Sequence, residues 1–284
     1  MTPETTQQQA EVLHSLHAPG KPLVLVNAWD AVSARVIEEA GAPAIATTSA
    51  GMAWSLGYSD GERLPREELL AACARIRRVV RGPFTVDLER GYGRTVAEVV
   101  SLVRALLALG VVGINIEDGR EDGRLVPSQQ LCERIAAIRA LAEESGVRLF
   151  INARTDAYFA AKLDPARRFD EALDRARLFA AAGADGIFVP GMGQLEEIAR
   201  FARAISLPFN VYAGYPGVPT LAALAAAGVR RVSLGCGPLQ SALALVRRIA
   251  QEALSGGPYE AMASGMVSVG ELNGLLETDR AAPA

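Results

Sequence analysis

Leu109-Gly110-Val111-Val112-Gly113-Ile114-Asn115-Ile116-Glu117-Asp118-Gly119 holds one complete junction of the fold. Leu-Gly-Val closes a helical stretch, because a glycine just past a helix takes φ > 0 without steric cost. The apolar run Val112–Glu117 has strand length, and it ends in two carboxylates before a second glycine. The helix-ending signal returns as Ala40-Gly41-Ala42, Ala182-Gly183-Ala184 and Ala227-Gly228-Val229. Seven further strand candidates are Leu23–Asn27, Ala44–Thr48, Phe84–Leu88, Arg148–Ala153, Gly186–Pro190, Phe209–Tyr212 and Arg231–Leu234. Amphipathic stretches such as Arg66–Val80, Val96–Leu109, Gln129–Glu144, Phe169–Ala182, Leu195–Ala204 and Leu239–Leu254 lie between them. Eight βα repeats over roughly 230 residues predict an α/β fold of the (β/α)8 TIM barrel type. An open doubly wound sheet would carry Gly-x-Gly-x-x-Gly after an early strand, and that loop is absent.

The 284 residues divide by pattern into a polar, helical N-terminal extension (1–20), the barrel (21–254) and a C-terminal helical tail (255–284). Ser255-Gly256-Gly257-Pro258 breaks the chain before a short helix-like stretch from Tyr259 to Leu276, and Thr278–Ala284 reads as disordered. A barrel has no interior room for such a tail, which is expected to pack outside it or on a neighbouring subunit. Half the residues are hydrophobic, enough for a large core, and a net charge of −3 gives no footprint for nucleic acid. No apolar run has the length to cross a membrane, and Met1–Ala10 lacks a secretory pattern, so a cytoplasmic setting is expected. The three cysteines have no metal-ligand spacing: Cys73 and Cys132 read as helix residues, and Cys236 falls at a strand end near the mouth. The only histidines, His14 and His17, precede the barrel and read as surface residues.

Barrel enzymes gather catalytic groups at the C-terminal ends of their strands. Here those ends bring Asp87 and Glu89 from strand three and Glu117 and Asp118 from strand four. Carboxylates so placed are costly to leave unpaired, and a hard divalent cation with oxygen ligands relieves that cost. Tyr212, at the end of strand seven, is a candidate for the mouth.

In order and spacing, Asn27-Ala28-Trp29-Asp30, Thr47-Thr48-Ser49, Leu56-Gly57-Tyr58-Ser59-Asp60, Asp87-Leu88-Glu89-Arg90-Gly91-Tyr92-Gly93, Ile116-Glu117-Asp118 and Asn152-Ala153-Arg154 resemble the isocitrate lyase/phosphoenolpyruvate mutase superfamily. The resemblance spans about Leu23 to Leu254. It implies a Mg²⁺ (or Mn²⁺) site for small 2-oxo acids or acids cleaved to them, with Asp87, Glu89 and Glu117 as metal residues. Glu89 stands where the family usually has aspartate. It also implies that Arg154 clamps a substrate carboxylate, since its planar fork can engage both oxygens. Thr48 and Ser49 would cradle a substrate oxygen, Trp29 would wall the pocket, and Asp60 would be a catalytic acid or base, with Arg154 and Glu117 beside it. Family members exchange C-terminal helices in dimers and tetramers, so a homo-oligomer is expected.

The superfamily's lyases carry Lys-Lys-Cys-Gly-His after the strand-four acids, where this chain has Gly119-Arg120-Glu121-Asp122-Gly123-Arg124-Leu125-Val126-Pro127. That loop brings no Cys, Lys or His, though Arg120 or Arg124 is placed to act as a lid. The expected reaction is therefore metal-assisted cleavage of a C–C bond in a small 2-oxo or 2-hydroxy carboxylic acid through an enolate-like intermediate. Phosphonate (C–P) chemistry, by a mutase or hydrolase, and a barrel that binds a 2-oxo acid without turnover are the alternatives.

Overall fold

The structure, a computed structural model, describes residues 3–263 and 265–277. The expected disordered segment, Thr278–Ala284, lies outside the described residues. Nine short strands form one parallel sheet: β1 (Leu23–Leu25), β2 (Asn27–Ala28), β3 (Ile45–Thr47), β4 (Phe84–Asp87), β5 (Gly113–Glu117), β6 (Phe150–Arg154), β7 (Gly186–Phe188), β8 (Phe209–Tyr212) and β9 (Arg231–Ser233). Their order, β1-β9-β8-β7-β6-β5-β4-β3-β2, begins and ends on strands separated only by Val26. The first barrel strand is thus split. Its β1 half pairs with β9 and its β2 half with β3, and this closes an eight-membered ring. The four glycines predicted to end helices, Gly41, Gly110, Gly183 and Gly228, all take φ between +80° and +105°.

Helices α1 (Pro3–Ser15), α2 (Ala31–Glu39), α3 (Ser49–Ser55), α4 (Arg66–Val79), α5 (Val96–Ala108), α6 (Ser128–Ser145), α7 (Arg168–Ala181), α8 (Leu195–Ala204), α9 (Leu221–Ala226) and α10 (Gly237–Leu254) accompany the strands. They are started by local chemistry. Asp30 and Thr95 form capping boxes at α2 and α5, and Thr48 caps α3. The larger core lies between the sheet and the helices, where strand residues such as Ile114, Ile116, Ile151 and Val211 meet Leu102, Leu106, Ile135 and Phe201. Two tail helices follow, α11 (Glu260–Ala263) and α12 (Val269–Leu276). The second packs on α2, where Arg35 Nε donates to Leu275 O at 3.1 Å.

A second, smaller core plugs the N-terminal mouth. Ala10 and Leu13 of α1 enter among Leu23, Leu25, Val112 and Phe150. His17 is buried here, its ring stacked on Phe150 at 4.1 Å and its Nδ1 bonded to Leu13 O at 2.8 Å. His14 is partly buried as well and bonds Arg148 O. The surface reading of both histidines is therefore corrected. The residues Thr6, Ala10, Leu13 and His17 recur at helical spacing, so the inward face of α1 continues through His17.

Candidate functional site

The opposite mouth is polar because its strands end in charged residues. Asp87 closes β4, Glu117 closes β5 and Arg154 closes β6. Register brings the last two side by side, Glu117 pairing with Arg154 across β5 and β6. Arg154 Nη1 lies 2.9 Å from Glu117 Oε2, and its Nε and Nη2 hold both Asp156 oxygens at 2.6 and 3.1 Å. A guanidinium has five N–H groups. Two of them bond Asp156 and a third faces Glu117 as an ion pair, so two donors remain for a ligand. Burial opposes the Arg154 charge, but Glu117 and Asp156 outweigh it and keep the group firmly cationic. Glu117 Oε2 touches Arg154 off the hydrogen-bond axis and keeps acceptor capacity. Burial pushes its carboxyl well above the usual range, against the pull of Arg154.

Asp156 is itself positioned from below. Its backbone N–H donates to Asp118 Oδ1 at 2.9 Å, and Asp118 Oδ2 meets Arg175 Nη1 of α7 at 3.0 Å. Asp118 is fully buried, which pushes its carboxyl up to about 6 despite Arg175. At Gly119 any Cβ would overlap the Asp156 carboxylate, so the glycine after the acid pair makes room for this ladder. Sequence reading missed Asp118 and Arg175 as positioning residues.

Asp87 receives the donors that were expected to meet substrate. Ser49 Oγ donates to its Oδ2 at 2.9 Å and Ser49 N at 3.4 Å, while its own N–H donates to Thr47 Oγ1 at 3.0 Å. Asp87 Oδ1 is buried without a partner. Glu89 sits in left-handed backbone at φ +46°, its carbonyl bonded by Glu117 N–H at 2.8 Å and its carboxylate by Tyr92 Oη at 3.0 Å. Such a conformation costs on the order of 1 kcal/mol in a residue with a side chain. Burial, then the charges of Asp60 and Asp87, push the Glu89 carboxyl up to about 7. Among the described residues no three Asp, Glu, His or Cys side chains converge as a ready-made metal cage. The donor set still suits Mg²⁺, which needs few protein oxygens and keeps its own waters. Asp87 Oδ1 is the oxygen left open, and the Asp87 charge acts on the carboxyls of both Glu89 and Glu117.

Of these groups Ser49, Asp87 and Arg154 line a cavity of about 170 Å³, together with Thr48, Ala50, Asp60, Phe159, Phe188, Pro190, Tyr212, Ser233, Gly235 and Cys236, whereas Glu89 and Glu117 lie outside its lining. Asp60, Thr48, Ser49 and Tyr212 are brought into it as expected. The Asp60 carboxyl is raised by partial burial and then by Asp87. Trp29 is not among the residues lining this cavity. β2 ends at Ala28, and the next residue turns toward α2, its N–H donating to Ser33 Oγ at 3.1 Å. Arg120 and Arg124 also lie away from the cavity, each paired with the exposed Asp122.

The chain matches the family model described as phosphoenolpyruvate phosphomutase over residues 13–254. It is 36% identical to an uncharacterised protein of Mycobacterium tuberculosis, over 81% of this chain and 84% of that one. It is 30% identical to 2-methylisocitrate lyase of Escherichia coli, over 68% of this chain and 69% of the enzyme. A crystal structure from Burkholderia cenocepacia, provisionally named a phosphonomutase, superposes with a TM-score of 0.82 at 40% identity, covering 87% of this chain and 99% of that one.

Proposed function

Because the chain belongs to the isocitrate lyase/phosphoenolpyruvate mutase superfamily of lyases and mutases, we propose that it is a divalent-cation-dependent C–C lyase. Its substrate is a small 2-oxo or 2-hydroxy carboxylic acid, cleaved beside the oxygen-bearing carbon through an enolate-like state. The observation that carries this reading is the balance of charge around the cavity. Arg154 is its one cationic lining residue, while Asp87 presents an unpartnered, buried carboxylate oxygen.

One cation matches one substrate carboxylate. A tricarboxylate would leave two charges facing Asp60, Asp87 and an apolar wall of Phe159, Phe188 and Pro190. Desolvating unpaired charge in that way is costly. The same wall excludes water and favours a reaction in which charge leaves the substrate's far end. When bound, Mg²⁺ or Mn²⁺ at Asp87 supplies Lewis-acid polarisation of the 2-oxygen. Arg154 orients the carboxylate through its two remaining N–H groups, and Asp156, Asp118 and Arg175 keep the guanidinium in place. Ser49 fixes the rotamer of Asp87. Asp60, its carboxyl raised by burial and then by Asp87, holds a proton at the cavity rim.

C–P chemistry is the second reading, favoured by the likeness to the Burkholderia protein. A phosphonate dianion, however, gains most from several cations, and the cavity lining has one. The test is a panel of 2-oxo and 2-hydroxy mono-, di- and tricarboxylates assayed with Mg²⁺ and with chelator, run beside ³¹P NMR of phosphonopyruvate. Chelator-sensitive release of a 2-oxo acid from a mono- or dicarboxylate is expected. A changed ³¹P spectrum with no C–C cleavage would replace the first reading by the second.

The proposed organisation is the barrel (21–254) between an N-terminal extension (1–20) and a C-terminal tail (255–284), in a homo-oligomer, dimer or tetramer, in the cytoplasm. Among the described residues no helix is long and apolar enough to cross a membrane. Along α10 only Leu239 is buried, whereas Leu243, Val246 and Leu254 are exposed apolar side chains suited to a second copy. Light scattering on the full chain and on one ending at Leu254 tests this, with a loss of assembly expected in the shorter chain.

A further inference from the structure

The lyase reading leaves one chemical task without a residue. Cleavage to an enolate requires a proton at the enolate carbon, and the 119–127 loop brings no thiol, amine or imidazole. We propose that Cys236, assisted by Tyr212, is the proton donor to that carbon. The inference rests on the lyase reading above.

Strand order supports the placement. Around the ring, β9 lies across from β5, so Cys236, three residues past β9, enters the cavity opposite the end that carries Glu117. Asp87 and Arg154 end the strands that flank Glu117. A 2-oxo acid held by its carboxylate on Arg154, on the side of the ring that also carries Asp87, has Tyr212 and Cys236 on the opposite side of the same cavity.

The local backbone is built to bring these two side chains together. Gly235 takes φ +53°, and a Cβ there would come within 2.7 Å of the Tyr212 ring. A Cβ at Gly214 would lie 2.6 Å from both the ring and the phenol oxygen. The phenol therefore lies flat between two glycines and reaches the turn that carries Cys236. Neither polar group is tied to a buried partner. Cys236 is the N-cap residue of α10 but makes no side-chain cap; its Sγ–H donates to Gln240 Oε1 at 3.6 Å, a surface bond exchanged when the thiol turns to a ligand. Tyr212 Oη donates to Gly214 O at 3.5 Å, the outer limit of a hydrogen bond. Burial, then the neighbouring Cys236, raise the Tyr212 phenol above its ordinary range, so it remains an O–H donor at neutral pH.

In the step itself, the C=C electron pair of the enolate takes the thiol hydrogen and forms the new C–H bond. The enolate oxygen closes to the carbonyl, and sulfur keeps the S–H electron pair. The Tyr212 O–H donates a hydrogen bond to the thiolate, which is reprotonated by water at the cavity mouth. Cys236 is partly exposed and accessible to that water. Tyr212 acts on the carbon through the thiol and is a positioning residue in this step.

The test uses the full-length protein with Mg²⁺ and pyruvate in deuterium oxide, following loss of the methyl signal by ¹H NMR. Wild-type protein is expected to exchange the methyl hydrogens, and Cys236→Ala to slow exchange about 100-fold, the usual weight of a positioned acid. Oxalate affinity by calorimetry should stay within threefold. Tyr212→Phe should lower the exchange kcat about tenfold with an unchanged KM for pyruvate. Iodoacetamide labelling of Cys236, resolved by peptide mass spectrometry from Cys73 and Cys132, should be slowed by Mg²⁺ with oxalate. Exchange at the wild-type rate in Cys236→Ala that still binds oxalate overturns this assignment alone. So does labelling that bound oxalate does not slow. Wild-type protein that neither exchanges pyruvate nor binds oxalate overturns the enolate reading, and the assignment with it.

Discussion

At the N-terminal mouth of the barrel, α1 presses Ala10 and Leu13 among Leu25, Val112 and Phe150, and one neutral imidazole, His17, is stacked into the plug. At the C-terminal mouth, the same eight strands end in Asp87, Glu117 and Arg154, and the floor beneath them is a ladder of buried charges. The first mouth gains free energy by excluding water from apolar surface. The second holds acids at raised pKa and a carboxylate oxygen without a partner, which costs free energy unless something binds. Stability and activity should therefore separate by end of the barrel, and substitutions can test how cleanly.

The largest effect is expected from Arg154→Met. It should lower kcat/KM about 1000-fold, on the order of 4 kcal/mol of transition-state stabilisation. Arg154→Lys should recover little of this, because an ammonium cannot hold Asp156 through two parallel bonds. Steady-state kinetics on the best substrate from the panel measures it, and a loss below tenfold would remove Arg154 from the site. Next is Leu13→Ala at the plug, which should cost about 3 kcal/mol in urea unfolding while leaving kcat and KM within twofold. A matching loss of activity would break the division between the two mouths.

His17 sharpens the comparison through pH. Burial first, then the Arg231 charge, lower its pKa from 6.5 to about 3. The unfolded chain therefore takes up a proton that the folded chain refuses. The resulting stability is intact above pH 6.5 and is lost as pH falls from 6.5 toward 3. Between pH 6.5 and 5 the loss should be about 2 kcal/mol. Urea unfolding of His17→Leu across this range should lack that part of the acid sensitivity. The smallest effect expected is that of Glu89→Asp. The shorter side chain gives up the Tyr92 bond, so half-maximal activity should need about tenfold more Mg²⁺. An unchanged Mg²⁺ requirement would leave Glu89 outside the cation site.

The fold was legible because its signal is periodic: eight strand-length runs alternate with helical stretches, and a glycine stop precedes four of them. A single junction such as Leu109–Gly119 contains most of that information. The acids at strand ends were legible for a related reason, since an apolar run that stops on a carboxylate is unusual unless the charge has work there. Arg175 was not. It reads as a polar face residue of α7, and only the fold brings it to Asp118 across 57 positions of sequence. His17 was misplaced because its distance from the first strand outweighed its helical spacing to Ala10 and Leu13. Ser49 was found as a site residue, but the partner it meets is Asp87.

The split in the first strand means that this ring has a clasp. The Leu234 N–H is shared between Leu25 O at 3.0 Å and Asn27 Oδ1 at 3.1 Å, while Gly235 N–H rests on Asn27 Oδ1 at 2.8 Å. Asn27 Nδ2 in turn holds Thr47 O of β3 at 2.8 Å. One carboxamide thus fastens the last turn of the barrel to its second strand, at the single place where the ladder is interrupted. The segment that carries Cys236 is therefore held to the strand across the seam by one side chain rather than by a strand ladder.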